Sequence, residues 1–244
     1  MNLIIDVGNS RIKLAVFDNE QLVFKKTCNQ KEIVEMLLEI KETNPSVKKA
    51  IISSVGFISK TDLKKIQSLF QLFILDETIN LPFINLYKTP KTLGVDRMAL
   101  VSAAVKQFPK KNILIIDAGT CITYDFLSKK NVYNGGAISP GITMRYKALN
   151  TFTVNLPLLE KKSIKKITGT TTKKSIHSGV IFGVLNEING AINDYKQKYK
   201  DLTVILTGGD AHFLQDHLKN GIFANSNFLL EGLNYILETN KIHD

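Results

Sequence analysis

Leu3-Ile4-Ile5-Asp6-Val7-Gly8-Asn9-Ser10 returns further along the chain as Leu114-Ile115-Ile116-Asp117-Ala118-Gly119-Thr120-Cys121. In both copies a short β-branched run ends in Asp-x-Gly. A second β-rich run follows, Ile12 to Phe17 and Ile122 to Leu127, and then a polar turn. This pattern predicts a hairpin. Glycine lets a backbone approach a ligand closely, while Asn9, Ser10 and Thr120 set short polar groups beside free amides. Either copy alone reads better as an ordinary hairpin with a turn aspartate. Two copies heading two similar halves indicate a duplicated unit built around a functional turn.

Working outward, the first half continues with a strand at Leu22 to Lys26. A helix follows from about Lys31 to Lys41, in which Ile33, Met36, Leu37 and Ile40 keep the 3.6-residue period. A strand at Ala50 to Ser53, a helix at Asp62 to Phe70 and a strand at Gln71 to Leu75 complete an α/β alternation. The second half repeats it. Strands are expected at Asn112 to Asp117, Cys121 to Leu127 and Val132 to Ile138, and helices at Ile142 to Asn150 and Lys173 to Tyr199. A strand at Leu202 to Thr207 then breaks into Gly208-Gly209-Asp210 before a further helix. The expected division is two similar α/β domains, 1–110 and 111–244, with no low-complexity linker between them.

With 244 residues, 44% hydrophobic and 22% charged, the chain has the composition of a folded globular protein. No basic leader opens it and no apolar run approaches the about 18 residues of a membrane span, so a cytoplasmic protein with no membrane partner is expected. Its two cysteines, Cys28 and Cys121, form no CxxC. The net charge of +10 is spread over lysine pairs at the edges of apolar segments, which describes a solvated surface rather than a nucleic-acid groove. Only three basic residues are arginines, Arg11, Arg97 and Arg145, each inside a motif. The planar guanidinium fork at these places suits phosphate or carboxylate.

Several familiar site patterns are absent. Gly169 to Ser175 lacks the second glycine of a Walker loop, and neither GxGxxG nor GxSxG occurs. His177, His212, His217 and His243 show no HExxH spacing and read as surface or packing residues. Two segments are more informative. The strand ending in Thr207-Gly208-Gly209 offers a flat backbone surface on which a base or ribose can lie. Tyr87 and Lys88 lead through Thr92-Leu93-Gly94-Val95-Asp96-Arg97 into an apolar helix at Met98 to Gln107. A helix start favours bound anions, yet Asp96 taken alone reads better as a simple N-terminal cap.

In order, the two Asp-x-Gly hairpins and the Gly-Gly turn resemble the superfamily of actin, heat-shock chaperone ATPases and sugar kinases across nearly the whole chain. That resemblance implies an α/β, duplicated ribonuclease H-like (actin-like ATPase) fold, with two similar domains around a central cleft. In that superfamily the hairpins grip phosphates and metal, and the Gly-Gly turn contacts adenosine. Asp6 to Lys13, Gly94 to Arg97, Asp117 to Thr120 and Gly135 to Gly141 together closely resemble type III pantothenate kinase. The match extends through Leu156-Pro157 to Thr172 and Gly179, and Ser10 departs from the family's usual threonine while keeping the hydroxyl.

What this resemblance implies is transfer of the γ-phosphoryl group of ATP to pantothenate, the first step towards coenzyme A. Asp96 matches the general base, and Asp6 a magnesium site reached through water. Asp6, Val7, Gly8, Asn9, Ser10, Arg11, Ile12, Lys13 and Thr120 match ATP phosphate contacts, and Gly208 and Gly209 the adenosine contact. Asp117 matches the position that holds a monovalent cation, potassium or ammonium. Tyr87, Gly94, Val95, Asp96, Arg97 and Thr172 match pantothenate-binding positions. Family members are homodimers, so a homodimer is expected. The alternatives carried are a transcription accessory factor of the same family and another actin-like small-molecule kinase.

Overall fold

The computed structural model describes residues 1–9, 11–218 and 222–240. It divides into two compact units. The first holds Met1–Pro109, Asn131–Tyr133 and the chain from Asn227 on, and the second holds Lys110–Lys130 and Asn134–Ser226.

The first unit is built on a five-stranded sheet of order β3-β2-β1-β4-β5. Its strands are β1 (Asn2–Val7), β2 (Ile12–Asp18), β3 (Gln21–Cys28), β4 (Lys49–Ser54) and β5 (Gln71–Ile74). Strand β1 lies at the centre, antiparallel to β2 and parallel to β4. Every residue of β1 is buried, which is why its sequence reads as a continuous apolar run instead of an alternation. Side chains still alternate faces. Leu3, Ile5 and Val7 pack with Ile33, Leu37 and Ile40 of α1 (Ile33–Thr43), placing Asp6 on the opposite face. Helix α2 (Lys60–Leu69) starts at Ser59, whose hydroxyl accepts from the Asp62 N–H at 3.0 Å.

Helices α3 (Val95–Gln107) and α7 (Phe228–Asn240) also belong to the first unit and pack on each other. Gly232 permits this contact: a Cβ there would lie 1.9 Å from the Ala99 carbonyl oxygen. Asn234 of α7, 3% exposed, accepts from Asn2 Nδ2 at 2.7 Å and donates to the Asn19 carbonyl at 2.7 Å, so a polar side chain is buried with its bonds made. The short strand β6 (Ile84–Asn85) pairs in parallel with Val132 and Tyr133.

The second unit repeats the plan. Its sheet has the order β11-β10-β7-β8-β9-β6, in which the first five strands follow the same order as β5-β4-β1-β2-β3. The strands are β7 (Asn112–Ala118), β8 (Cys121–Leu127), β9 (Val132–Pro140), β10 (Leu202–Thr207) and β11 (Ile222–Ala224). Again the central strand, β7, is antiparallel to the next strand in sequence, β8, and parallel to β10. Leu114, Ile116 and Ala118 face the long helix α5 (Thr172–Lys198), which buries Ile176, Val180, Val184 and Ile188 against them; α4 (Ile142–Thr151) and α6 (Ala211–Gln215) complete the layer. Asp117 therefore lies on the other face of its sheet, as Asp6 does in the first unit.

Candidate active site

In the first unit the turn after Asp6 is closed by the Gly8 N–H donating to the Arg11 carbonyl at 3.1 Å. A second turn backs it, because the Val55 and Gly56 N–H groups both donate to the Val7 carbonyl, at 3.1 and 3.0 Å. Gly56 must be glycine, since a Cβ would come within 2.4 Å of the Gly8 carbonyl oxygen. Asn9 and Arg11 are exposed at the tip, while Ser10 lies outside the described residues.

Asp6 is the central member of a polar row across three strands. Its antiparallel partner is Lys13 and its parallel partner is Ser53, and paired residues share a face. Lys13 Nζ lies 3.4 Å from Asp6 Oδ2. Burial pushes the Asp6 carboxyl above its ordinary value of 3.8. The charge and hydrogen bond of Lys13 oppose this, and the charge of Asp96 adds to it. Ser53 is wholly buried, and its hydroxyl finds no hydrogen-bond partner among the described residues.

Asp96 sits in the first turn of α3, with Gly94 as N-cap making no side-chain cap bond. Asp96 Oδ1 accepts from the Arg97 N–H at 2.8 Å. A Cβ on Gly94 would lie 2.4 Å from that oxygen, so glycine is what gives this carboxylate its room. The cap that the residue types suggested at Asp96 thus falls on Gly94, and Asp96 is a half-buried carboxylate inside the first turn. Arg97 is 4% exposed, with its guanidinium 5.6 Å from the Tyr87 ring centroid and 6.0 Å from that of Tyr133. The two rings are nearly parallel, 6.3 Å apart.

In the second unit the Asp117 turn is one residue shorter. The Gly119 N–H donates to the Cys121 carbonyl at 2.9 Å, and the Gly141 N–H to the Thr120 carbonyl at 3.0 Å. Gly208, with φ of +95°, lies against Asp117: a Cβ there would meet Oδ1 at 2.3 Å. The Asp210 N–H donates to the Ala118 carbonyl at 2.9 Å, so the Gly208-Gly209 turn is bonded to the Asp-x-Gly turn beside it. Asp210 also pairs with Lys161, which gives the basic Lys161 to Lys174 stretch one anchoring contact. Thr120 is exposed. Thr172 begins α5 and lines an open cavity of about 630 Å³ with Leu149, Leu156, Thr170, Ser175 and Gly179.

Of the three arginines, Arg145 spends its fork inside the protein. It reaches Glu187 at 2.5 Å, Ser139 Oγ at 2.9 Å and the Pro140 carbonyl at 2.9 Å, and Glu187 also accepts from Tyr124 at 2.8 Å. Burial raises the Glu187 carboxyl, but its bonds to Arg145, Ser139 and Tyr124 outweigh that and hold it below the ordinary value. Sequence reading missed Ser53, Tyr133 and Glu187. Only Ser53 had a local signal, a hydroxyl closing the apolar run Ala50-Ile51-Ile52. Among the described residues no three His, Cys, Asp or Glu side chains converge as a metal site, and no helix is long and apolar enough to cross a membrane.

Solved structures place this architecture. A crystal structure from Campylobacter jejuni, described as a conserved Baf family transcriptional activator, superposes with a TM-score of 0.66 at 22% identity, covering 98% of this chain and 99% of that one. A glucokinase from an Antarctic psychrotroph superposes with a TM-score of 0.53 at 14% identity, covering 98% of each chain. At these identities the likeness speaks to the fold alone. The duplicated sheets and paired Asp-x-Gly turns give the chain a duplicated α/β, actin-like fold. Sequence comparison narrows the class. A family profile for type III pantothenate kinase matches residues 2–194. The type III pantothenate kinase of Christiangramia forsetii is 52% identical over 244 residues, covering 99% of both chains. The chain belongs to the type III pantothenate kinase family.

Proposed function

We propose that the protein transfers the γ-phosphoryl group of ATP to the primary hydroxyl of pantothenate, giving 4'-phosphopantothenate on the way to coenzyme A. The observation that carries the reading is in the first unit. There Asp6 lies between the Lys13 ammonium and the Ser53 hydroxyl on one sheet face, and Asp96 is a half-buried carboxylate in the first turn of α3. One carboxylate is positioned for a metal and the other for a proton.

Asp96 is the general base. The bond from the Arg97 N–H fixes Oδ1, leaving Oδ2 for the acceptor hydroxyl. As the acceptor oxygen bonds the γ-phosphorus, ADP leaves with the bridging oxygen and the hydroxyl proton passes to Asp96. Phosphoryl transfer proceeds through a loose transition state, so orientation and late proton acceptance suffice.

Asp6, beside the Ser53 hydroxyl that has no hydrogen-bond partner among the described residues, would hold magnesium through water, oxygen donors of this kind being those the ion takes. Magnesium, when bound with ATP, offsets phosphate charge. Val7, Gly8, Asn9, Ser10, Arg11 and Ile12 are assigned to the ATP phosphates, and Lys13 to offsetting their charge. Thr120, Gly208 and Gly209 are assigned to the nucleotide, and Asp117 to potassium or ammonium. Tyr87, Gly94 to Arg97 and Thr172 are assigned to pantothenate, with Arg97 matched to its carboxylate.

A cytoplasmic homodimer is part of the same reading. The support for the homodimer is the segment after α4, where Phe152 is 85% and Val154 97% exposed, large apolar side chains of the kind that an interface covers. The test is incubation of the pure protein with ATP, Mg²⁺, K⁺ and pantothenate, followed by mass detection of phosphopantothenate. Its absence, with ATP shown to bind, rejects the reading.

A further inference from the structure

The two copies of the repeat carry corresponding polar rows, Lys13-Asp6-Ser53 and Thr123-Asp117-Thr207, which differ in charge at one position. In the first unit the residue paired with Asp6 across the antiparallel ladder is Lys13, and its ammonium lies 3.4 Å from the carboxylate. In the second unit the corresponding partner of Asp117 is Thr123. Thr123 is 8% exposed, and its Oγ1 is buried with no hydrogen-bond partner among the described residues. Native structures rarely leave a buried hydroxyl so, and each case calls for a ligand or another reason. Its surroundings on the same sheet face are rich in oxygen. Asp117 lies across one ladder step, the wholly buried Asp125 lies two residues along β8, and the buried Thr207 is the parallel partner of Asp117. Carboxylate and hydroxyl oxygens are the donors a hard cation takes.

We propose that the monovalent cation at Asp117 takes the place that the Lys13 ammonium takes in the first copy, and that Thr123 Oγ1 is one of its ligands. This rests on the assignment of Asp117 to such a cation. A lysine ammonium is a compact, strongly hydrated point charge, the same kind of charge as free potassium or ammonium. One copy of the repeat holds its cation on a tether, while the other exchanged the tether for a hydroxyl and takes its cation from solution. Lysine at position 123 has a stem long enough to restore the pairing seen in the first copy.

The test uses the full chain without substrates. Melting temperature is titrated with KCl, NH₄Cl and NaCl at constant ionic strength for the wild type, Asp117→Asn, Thr123→Val and Thr123→Lys. The wild type is stabilised by potassium and ammonium over sodium, and Asp117→Asn loses that preference. Thr123→Val, which keeps the shape and Asp117 but removes the oxygen, needs about tenfold more potassium for half the shift, the scale of one bond to a charged group. Thr123→Lys shows no potassium-dependent shift, and in sodium alone it phosphorylates pantothenate as the wild type does in potassium. Indifference of the wild type to the cation overturns the assignment of Asp117. A potassium-responsive wild type with an unchanged Thr123→Val overturns the role of Thr123. A folded Thr123→Lys that still needs potassium overturns the equivalence with Lys13. If Thr123→Lys does not fold, the Thr123→Val comparison decides.

Discussion

Two carboxylates of the first unit are set apart by their surroundings. Asp6 is 5% exposed and carries a raised proton affinity, burial first among its causes, while Asp96 is half-buried with one oxygen on a backbone N–H. The shift at Asp6 has a definite sign in stability. The folded state holds this proton more tightly than the unfolded state, so its contribution falls as pH rises from 3.8 through the folded value. At neutral pH the charged group opposes folding. Asp6→Asn should therefore raise the melting temperature of the nucleotide-free protein at pH 7, while abolishing phosphorylation. The gap should close in melts below about pH 4, where both side chains are neutral. Asp96→Asn should lower kcat by at least about 10²-fold with ATP affinity retained, the scale of general acid-base help. Single-turnover assays beside nucleotide titrations separate the two outcomes.

Elements were largely legible because each has a local cause. The strand of Cys121–Leu127 and that of Leu202–Thr207 coincide with the sequence reading, and α1, α2, α4 and α5 lie within two residues or so of it. Helix α3 begins earlier than the apolar period suggests, at Val95, because Gly94 serves as N-cap and brings Asp96 into the first turn. The short strands β6 and β11 were not read, since two or three residues carry no period and are fixed by their partners alone. The contact of α3 with α7 gives a prediction at this scale. Gly232→Ala would drive a methyl into the Ala99 backbone, and the helices must separate. We expect a loss of about 1–3 kcal/mol, read as a lower urea midpoint with unchanged slope.

For the whole molecule, chain order and spatial grouping part company. Helix α7 closes the sequence, yet it packs on α3 and contacts β1 in the first unit, as the Asn234 bonds to Asn2 and Asn19 show. The boundary read near residue 110 follows the repeat and carries no information on where a terminal helix docks. Surface composition bears on assembly. Phe152 and Val154 are too exposed to serve a core, and replacing both by aspartate should turn the proposed homodimer into a monomer by sedimentation equilibrium. An unchanged mass would reject this segment as the interface.

The sequence alone determined the duplication, the place of Asp6 and Asp117 at strand ends, and the family. Each depends on local matters: β-branched runs, turn glycines and a motif order that survives without any partner strand. Tertiary structure alone decided that Ser53 stands beside Asp6 and that Thr123 holds the position Lys13 holds in the other copy. The physical reason is that register and strand neighbours are set by burial and ladder bonds between distant segments. Thus the two Asp-x-Gly turns look alike as text, and their flanking residues make them different sites.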